Sequence, residues 1–259
     1  MRATRFFVDA PLAAGTEVSL ADAQAHQLRH VLRRETGAPL LLFNGRDGEW
    51  SATLAWPRRA DAVARVDEQT RSQTAEPDLW LCFAPLKRQR IDLVAEKATE
   101  LGAARLVPVL TTHTVPERVN VERLAAHAIE AAEQTERLSV PEVATPTTLE
   151  ALLAAWPQNR RLLWCDETGE GPPIAEALRT EAAASSWAIL IGPEGGFARD
   201  ELARLRALPA GLAVGLGPRI LRADTAALAA LAIWQAMRGD GARPTPRLGR
   251  PYTPDGNGR

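Results

Sequence analysis

The stretch 189–231 decides the fold of this chain, and it reads ILIGPEGGFARDELARLRALPAGLAVGLGPRILRADTAALAAL. One short apolar run, 187–191, overlaps its start, and a second, 211–216, lies within it; both are too brief for helices, and each leads into a Gly-Pro pair. Continuous apolar runs of this kind are typical of buried parallel strands. Each predicted strand leads into a glycine-bearing loop that opens a helix. Because ligands bind at the carboxyl ends of strands in open α/β sheets, the two loops predict a ligand site.

Both loops combine glycine with proline. Glycine lets the backbone approach a ligand closely, while Pro193 and Pro218 fix φ and hold the loops in shape. A flat group such as adenine could be held there by main-chain N–H and C=O groups. The strongly polar side chains of the loops are Glu194, Arg222, Asp224 and Thr225. The alternative is two ordinary turns, with Asp224 or Thr225 capping the last helix; for either residue alone we favour the cap.

The sequences GPEGGF (192–197) and LGPRILRADTA (216–226) resemble the cofactor-binding segment of the SPOUT methyltransferases, specifically the RsmE family. That family methylates N3 of one uridine in bacterial 16S ribosomal RNA, in the small subunit. The resemblance covers residues 2 to about 238. It implies an α/β SPOUT domain with a deep trefoil knot and a parallel sheet, preceded by a small PUA-like β-barrel. It also implies S-adenosyl-L-methionine as cofactor and a homodimer whose RNA site uses both chains.

Composition predicts a globular protein of the cytoplasm. The chain has 259 residues, of which 46% are hydrophobic, and its apolar stretches are broken by charges before they reach the length of a membrane helix. A net charge of −1 gives no overall field that would attract a polyanion, so RNA must be bound by local patches. Cys82 and Cys165 lie inside apolar runs without a CxxC partner, which predicts buried thiols.

The pattern along the chain predicts three regions: a β-rich domain at 1–70, an α/β domain at 76–238 and a mobile tail at 239–259. The predicted strands are 5–8, 39–43, 49–56 and 62–66 in the first domain, and 79–83, 106–110, 162–165, 188–191 and 212–216 in the second. Turn residues at 44–48 predict a hairpin. The polar segment 68–78 has almost nothing to bury, which predicts a linker. Helices are predicted at 20–34, 89–101 and 121–138.

Polar residues of the three predicted helices are candidates for RNA contacts. Cations at the start of helix 89–101 oppose its dipole, so phosphate binding would explain them, although a solvated cluster costs little. A stripe of polar residues on helix 121–138 is ordinarily a solvated face, but its resemblance to RsmE sequences places it at the catalytic cleft. A metal at His26 and His30 lacks a third ligand, so we expect none. The predicted RNA-binding residues are His30, Arg33, Arg34, Lys87, Arg88, Arg90, Gln134 and Arg137.

The resemblance also implies the roles of individual residues. The implied cofactor-binding residues are Leu163, Trp164, Ile191, Gly192, Pro193, Gly195, Gly196, Leu216, Gly217, Ile220, Leu221 and Thr225. We expect Arg222 to stabilise the uridine anion or a flanking phosphate, since a guanidinium stays charged. Glu194 and Asp224 are candidate proton acceptors. Members of the RsmE family commonly carry Arg-x-Glu-Thr where this chain has Asp224, and its shorter carboxylate argues against a base at 224.

Two other functions stay open from the sequence. One is a catalytically idle RNA-binding or ribosome-assembly factor that has kept the fold. The other is a SPOUT methyltransferase that acts on another RNA position. Neither GxGxxG nor GxxxxGK[ST] occurs, so a Rossmann dinucleotide site and a P-loop have no support.

Overall fold

The computed structural model describes residues 3–58, 61–87, 89–115, 118–181, 184 and 186–241, and these residues form two β-sheets with helices. The predicted RNA-binding residue Arg88 and all but the first three residues of the predicted tail lie outside the described residues. Among the helices that the structure describes, none has both the length and the apolar character to cross a bilayer.

The first sheet has five strands in the order β1-β3-β4-β5-β2. Its strands are β1 (Thr4–Phe7), β2 (Glu17–Ser19), β3 (Pro39–Phe43), β4 (Glu49–Ala55) and β5 (Val63–Arg71). The predicted hairpin at 44–48 is confirmed, because it joins the antiparallel strands β3 and β4. Helix α1 (Asp22–His26) continues as a π-helical turn, Gln27–Val31, and places Leu28 in the core of this sheet.

The second sheet has seven strands; six follow the order β12-β10-β11-β6-β7-β8, and β9 also pairs with β7. The strands are β6 (Asp78–Phe83), β7 (Arg105–Leu110), β8 (Glu142–Val143), β9 (Thr147–Thr148), β10 (Arg160–Cys165), β11 (Ser186–Ile191) and β12 (Gly211–Val214). All of its pairs are parallel, and the five strands predicted for this domain are confirmed.

Helices cover both faces of the second sheet. They are α2 (Gln89–Glu100), α3 (Val121–Gln134), α4 (Leu149–Ala154), α5 (Ile174–Thr180), α6 (Arg199–Ala207) and α7 (Ala223–Met237). Leu231 of α7 packs with Ile189 in one core, and Leu205 of α6 packs with Leu190 in another. Neighbouring residues of β11 thus face opposite cores, and all six residues of this strand are buried. Burial on both faces explains why the sequence of this strand is continuously apolar.

The polar segment 68–78 is not a linker along its whole length. β5 continues through Arg71, which pairs with Glu49 of β4. The residues from Glu68 to Thr70 are exposed, so this end of the strand lacks the alternation of apolar and polar residues that would have predicted it. Side-chain contacts hold it instead: Thr70 donates to Glu49, and Arg71 donates to the carbonyl of Glu136 at 2.8 Å.

Two helices end earlier than the sequence predicts. The segment predicted as helix 20–34 stops at Val31, and Arg33 has a φ of 51°. Helix α3 ends at Gln134, and Glu136 has a φ of 59°. These left-handed residues reverse the chain without glycine, which is the residue that usually marks such a turn. Arg137, which the predicted helix 121–138 would include, therefore lies beyond the end of α3.

Arg5 joins the first sheet to α3. Its guanidinium pairs with Glu49 at 2.7 Å and donates to the carbonyls of Ala132 at 2.7 Å and Arg137 at 2.6 Å. It also lies over the ring of Phe43, 3.6 Å from the ring centre. The side chains of Arg5 and Glu49 are each only 6% exposed, so the ion pair is shielded from water. The guanidinium finds its acceptors both in the first sheet and at the end of α3.

Glu133 lies at the same contact and makes stability depend on pH. Burial raises the pKa of Glu133 to about 7, against the opposing effects of the Phe7 N–H, which donates to it, and of nearby Arg5. Between pH 4.5 and about 7 the folded state holds a proton that the unfolded state has released, so stability falls as pH rises through this window. After discounting for partial exposure, we expect Glu133→Gln to stabilise the protein by about 1–2 kcal/mol at pH 8.

Urea denaturation of both proteins at pH 4 and pH 8 would measure this difference, which should nearly vanish at the lower pH. Glu35→Gln, an exposed change of the same kind at a residue that does not affect the pKa of Glu133, is the matched control and should alter stability little at either pH. A stabilisation by Glu133→Gln of equal size at both pH values would contradict the raised pKa.

Candidate functional site

Three loops lie side by side at one edge of the second sheet. We name them by the strands that they follow: the β10 loop (166–172), the β11 loop (192–198) and the β12 loop (215–222). Strands β12, β10 and β11 are adjacent and parallel, so their carboxyl ends meet at the same edge. The sequence placed two of these loops together, and the resemblance added the loop after β10. The sheet order confirms that all three lie next to each other.

Gly192 allows the β11 loop to fold back on the sheet. A Cβ atom at this position would lie 2.8 Å from the ring of Phe197. That ring is buried and meets Trp164 edge-on, with ring centres 6.4 Å apart, so it has little room to move. Gly196 has a φ of 71°, a left-handed conformation that favours glycine. The two glycines therefore set the path of the loop.

Two side chains from other elements brace the β11 loop. His113, just after β7, has its Nδ1 2.9 Å from the carbonyl oxygen of Gly196. Glu201, in the first turn of α6, accepts from the N–H of Ala198 at 2.8 Å and from the N–H of Thr112 at 2.8 Å. Neither residue was among those predicted from the sequence. Their roles depend on contacts between distant segments, and no local motif marks them.

The β12 loop is held at its start and open along its length. Gly215 donates to the carbonyl of Pro172 at 2.8 Å and accepts from the N–H of Ile174 at 3.0 Å. Gly171 of the β10 loop lies so close that a Cβ on it would be 2.8 Å from the carbonyl carbon of Ala213. From 216 to 221, by contrast, no backbone N–H donates to a protein acceptor within the part of the chain that the structure describes. Backbone N–H groups without a protein acceptor, next to the tight contact between Gly171 and Ala213, can donate hydrogen bonds to a ligand.

Apolar surface accompanies those open amides. Ile220 is 95% exposed, whereas Leu221 packs against the core beneath the loop. Gly217 has a φ of 103°, and a Cβ atom at this position would meet nothing within 4 Å, so the loop bends outward here into open space. An exposed isoleucine next to free backbone donors is a suitable surface for a flat heterocycle, which needs both apolar contact and hydrogen bonds.

The β10 loop is ordered by a buried carboxylate. Asp166 is 7% exposed, and its Oδ1 accepts from the backbone N–H and the hydroxyl of Thr168 at 2.9 and 2.8 Å. Its own N–H donates to Val214 at 2.9 Å, which ties the loop to β12. Glu167 projects towards Gly196. The resemblance implied Leu163 and Trp164 as cofactor contacts, but their side chains are fully buried in the core, so the accessible surface comes from the residues after them.

The predicted catalytic side chains differ in their surroundings. Arg222 is exposed at the N-cap of α7. Asp224 lies in the first turn of this helix and accepts from the N–H of Thr225 at 2.9 Å. The N-cap position is Arg222 and no side-chain cap hydrogen bond forms, so the alternative that Asp224 or Thr225 caps the last helix is wrong. Glu194 forms an ion pair with Arg90 of α2. Arg90 was predicted to contact RNA, and the structure instead places it against the β11 loop.

The predicted RNA-binding residues fall into separate groups. His30 and Arg33 are exposed and Arg34 is half-buried, all beside the first sheet, while Lys87 and Gln134 are exposed beside the second. Arg137 is 8% exposed, pairs with Glu76 at 2.5 Å and donates to the carbonyl of Thr99 at 2.8 Å. This residue is thus a structural contact between the end of α3 and α2, and its burial argues against an RNA contact. Within the described residues, no group of three or more metal-ligating side chains occurs.

The chain is similar to known RNA methyltransferases along most of its length. Residues 74–235 match the family model of the RNA methyltransferase domain. The ribosomal RNA small subunit methyltransferase E of Rickettsia conorii is 33% identical over 233 residues, which are 90% of this chain and 95% of that one. The protein of the same name from Synechocystis is 34% identical over 226 residues, 85% of this chain and 73% of that one.

Two solved structures have the same fold. One is the ribosomal RNA small subunit methyltransferase E of Neisseria gonorrhoeae bound to S-adenosyl methionine, with a TM-score of 0.84 and 26% identity over 93% of this chain and 100% of that one. The other is a putative methyltransferase of Legionella pneumophila with bound SAM, with a TM-score of 0.81, 26% identity and the same shares of the two chains.

Proposed function

Because this chain belongs to the ribosomal RNA small subunit methyltransferase E family, we propose that it transfers a methyl group from S-adenosylmethionine to ribosomal RNA of the small subunit. The observation that carries this proposal is the likeness to a cofactor-bound member of the family over 93% of the chain. We place the cofactor site at the three adjacent loops, since ligands of α/β sheets bind at the carboxyl ends of strands.

The residues of the loops fit S-adenosylmethionine. The open amides of the β12 loop can hydrogen-bond an adenine edge, and Ile220 can cover its face. Gly217 keeps a side chain away from the backbone of the β12 loop, where the space that a Cβ atom would face is open to a ligand. When bound, the cofactor supplies an activated methyl group. The chain contributes the attack geometry, an effect worth up to about 7–11 kcal/mol in favourable cases.

We further propose N3 of a uridine as the methyl acceptor, on the RsmE resemblance described above. N3 must lose its proton before it can attack, so the site must favour the uridine anion. Arg222 suits this role because it is exposed at the end of the β12 loop and a guanidinium donates parallel hydrogen bonds. Glu194 and Asp224 remain the candidate proton acceptors. Glu194 would first have to leave Arg90, and Asp224 already accepts from a backbone N–H.

Arg222→Ala should lower the rate of methyl transfer about 10²- to 10³-fold, the loss typical for one donor that stabilises a developing anion. Binding of S-adenosylmethionine, measured by calorimetry, should be unchanged. Arg219→Ala, three residues earlier and also exposed, is the matched control and should keep most of the activity. Equal rates for Arg222→Ala and the unaltered protein would remove the catalytic role.

Nucleoside mass spectrometry after incubation with S-adenosylmethionine and unmethylated small subunits tests the reaction itself. We expect N3-methyluridine to appear. A different methylated nucleoside would refute the proposed position. Cofactor binding without any methylated product would instead support an idle RNA-binding factor.

The finer architecture is part of the same proposal. We propose a PUA-like RNA-binding barrel at 1–70, a knotted SPOUT domain at 76–238 and a tail at 239–259, assembled as a homodimer in the cytoplasm. The separate core of the first sheet supports the first domain. The tight crossing of the β10 loop and the β12 segment at Gly171 is compatible with a knot around the cofactor loops.

A further inference from the structure

A cleft of about 470 Å³ opens beside the cofactor loops, between the start of α2 and the start of α3. Its walls come from the segments that follow β6 and β7. The volume lies in the range of small-molecule sites, roughly 300–1,000 Å³. None of the residues proposed to bind the cofactor lines this cleft, so the cleft is available to a different ligand.

The cleft continues the edge at which the cofactor loops lie. β11 is paired with β6, and β6 with β7, so the carboxyl ends of all three strands meet in a row. The N–H of Ala84, just after β6, donates to Ile191 at 2.9 Å, where the β11 loop begins. Arg90 then connects α2 to Glu194 of that loop. A ligand in the cleft would therefore lie next to the cofactor loops along the sheet edge.

The base of the cleft is apolar. Leu86 and Leu124 are 6% and 1% exposed, and Ile91 and Val119 are half-buried against the same core. At the rim, Val115 is 63% exposed, which is unusual for a residue of its size and hydrophobicity. Such a surface can hold the face of a nucleobase, since stacking and apolar contact are worth about 1–3 kcal/mol for each unpaired base.

The rim of the cleft is positively charged. Lys87 and Arg118 are both exposed, and neither has an ion pair within the part of the chain that the structure describes. Arg123 also faces the cleft, but it donates to Asp92 at 2.6 Å, so these two charges largely offset each other. Among the described residues of the rim, Lys87 and Arg118 are therefore the cations without an ion pair, which favours an anionic ligand such as a phosphate.

We propose that this cleft binds one unpaired nucleotide of the RNA substrate, with its base on the apolar floor and its phosphates against Lys87 and Arg118. The proposal rests on the proposed function, because the ligand is the RNA that would be methylated. An apolar floor with a cationic rim matches a nucleotide in both parts, whereas an apolar peptide would leave the two cations without partners. Because β6 pairs with β11, the bound nucleotide would lie on the side of the cofactor loops that the β11 loop occupies.

The test compares the unaltered protein with a Lys87→Gln/Arg118→Gln variant in binding small-subunit ribosomal RNA over a range of salt concentrations. Loss of two phosphate contacts should weaken binding at least about 10-fold at low salt and reduce the slope of log affinity against log salt by about 1.4. Arg179→Gln/Arg204→Gln removes the same charge on α5 and α6 and should change neither value appreciably. Calorimetry should give the same S-adenosylmethionine affinity for all three proteins, which shows that the fold is intact.

Photo-crosslinking locates the base independently of charge. RNA that carries 4-thiouridine should crosslink to peptides that contain Ile91 or Val119. Unchanged affinity and slope in the Lys87→Gln/Arg118→Gln variant, or crosslinks confined to other surfaces, would overturn the cleft assignment while the protein still methylates RNA. If the unaltered protein neither binds nor methylates RNA, the proposed function fails and this inference fails with it.

Discussion

Gly192→Ala is expected to weaken S-adenosylmethionine binding about 10- to 100-fold, as measured by calorimetry. The added Cβ would lie 2.8 Å from the ring of Phe197, which is closer than two carbon atoms can approach. The ring cannot yield easily, because it is 9% exposed and packs edge-on against the buried Trp164. The strain therefore passes to the β11 loop, which would move away from the sheet edge and out of register with the β12 loop.

A second change tests the cause of this loss. Phe197→Leu in the Gly192→Ala background removes the ring atoms that the methyl group meets and should restore part of the affinity. Residues in direct contact show such coupling, typically of about 0.5–3 kcal/mol. If the double variant binds the cofactor no better than Gly192→Ala alone, the collision with Phe197 is not the reason that position 192 requires glycine.

Arg5→Met should lower the free energy of unfolding by about 3–5 kcal/mol, which is the cost of breaking a buried ion pair from one side. Glu49 is 6% exposed and would lose its nearest cation, because Arg71 lies farther away at 3.8 Å. The carbonyls of Ala132 and Arg137 would lose their donors as well. Chemical denaturation at neutral pH measures the change.

Arg46→Met is the matched control, since Arg46 forms an ion pair with Asp9 at 3.6 Å on the surface of the same sheet. Exposed pairs contribute about 0–1 kcal/mol, so the control should unfold almost like the unaltered protein. Similar stabilities for the two variants would mean that the Arg5 contact does not hold the first sheet against α3.

Much of the second domain could be predicted because the burial of each strand is visible in a short stretch of sequence. A strand that is buried on both faces must be apolar, so β6, β7, β10 and β11 contain short continuous apolar runs. β12 lies at the end of the strand order and is mostly half-buried, but its sequence is apolar as well. The glycines of the β11 and β12 loops were visible for a similar reason, since few other residues permit such close backbone approaches. The sheet order, which brings the loops together, agrees with the site that those glycines predict.

The remaining features depend on contacts between distant segments. The end of β5 is polar because its side chains face solvent, and it is a strand only because β4 and Glu136 supply its partners. Arg90 belongs to a basic cluster in the sequence and Arg137 to a polar stripe, yet their guanidiniums pair with Glu194 and Glu76. His113 and Glu201, which brace the β11 loop, carry no motif at all. A charge pattern thus predicts a basic segment, but not the acid that lies opposite it.

Under the proposed function, the contact through Arg5 limits which nucleotide of the RNA can be methylated. Its bonds to Glu49 on one side and to the end of α3 on the other leave the first sheet little freedom to swing relative to the cofactor loops. If an RNA bound both the first sheet and the cofactor loops, the distance between the two surfaces would be fixed. Only a nucleotide at that distance from the part of the RNA bound by the first sheet could then reach the methyl donor.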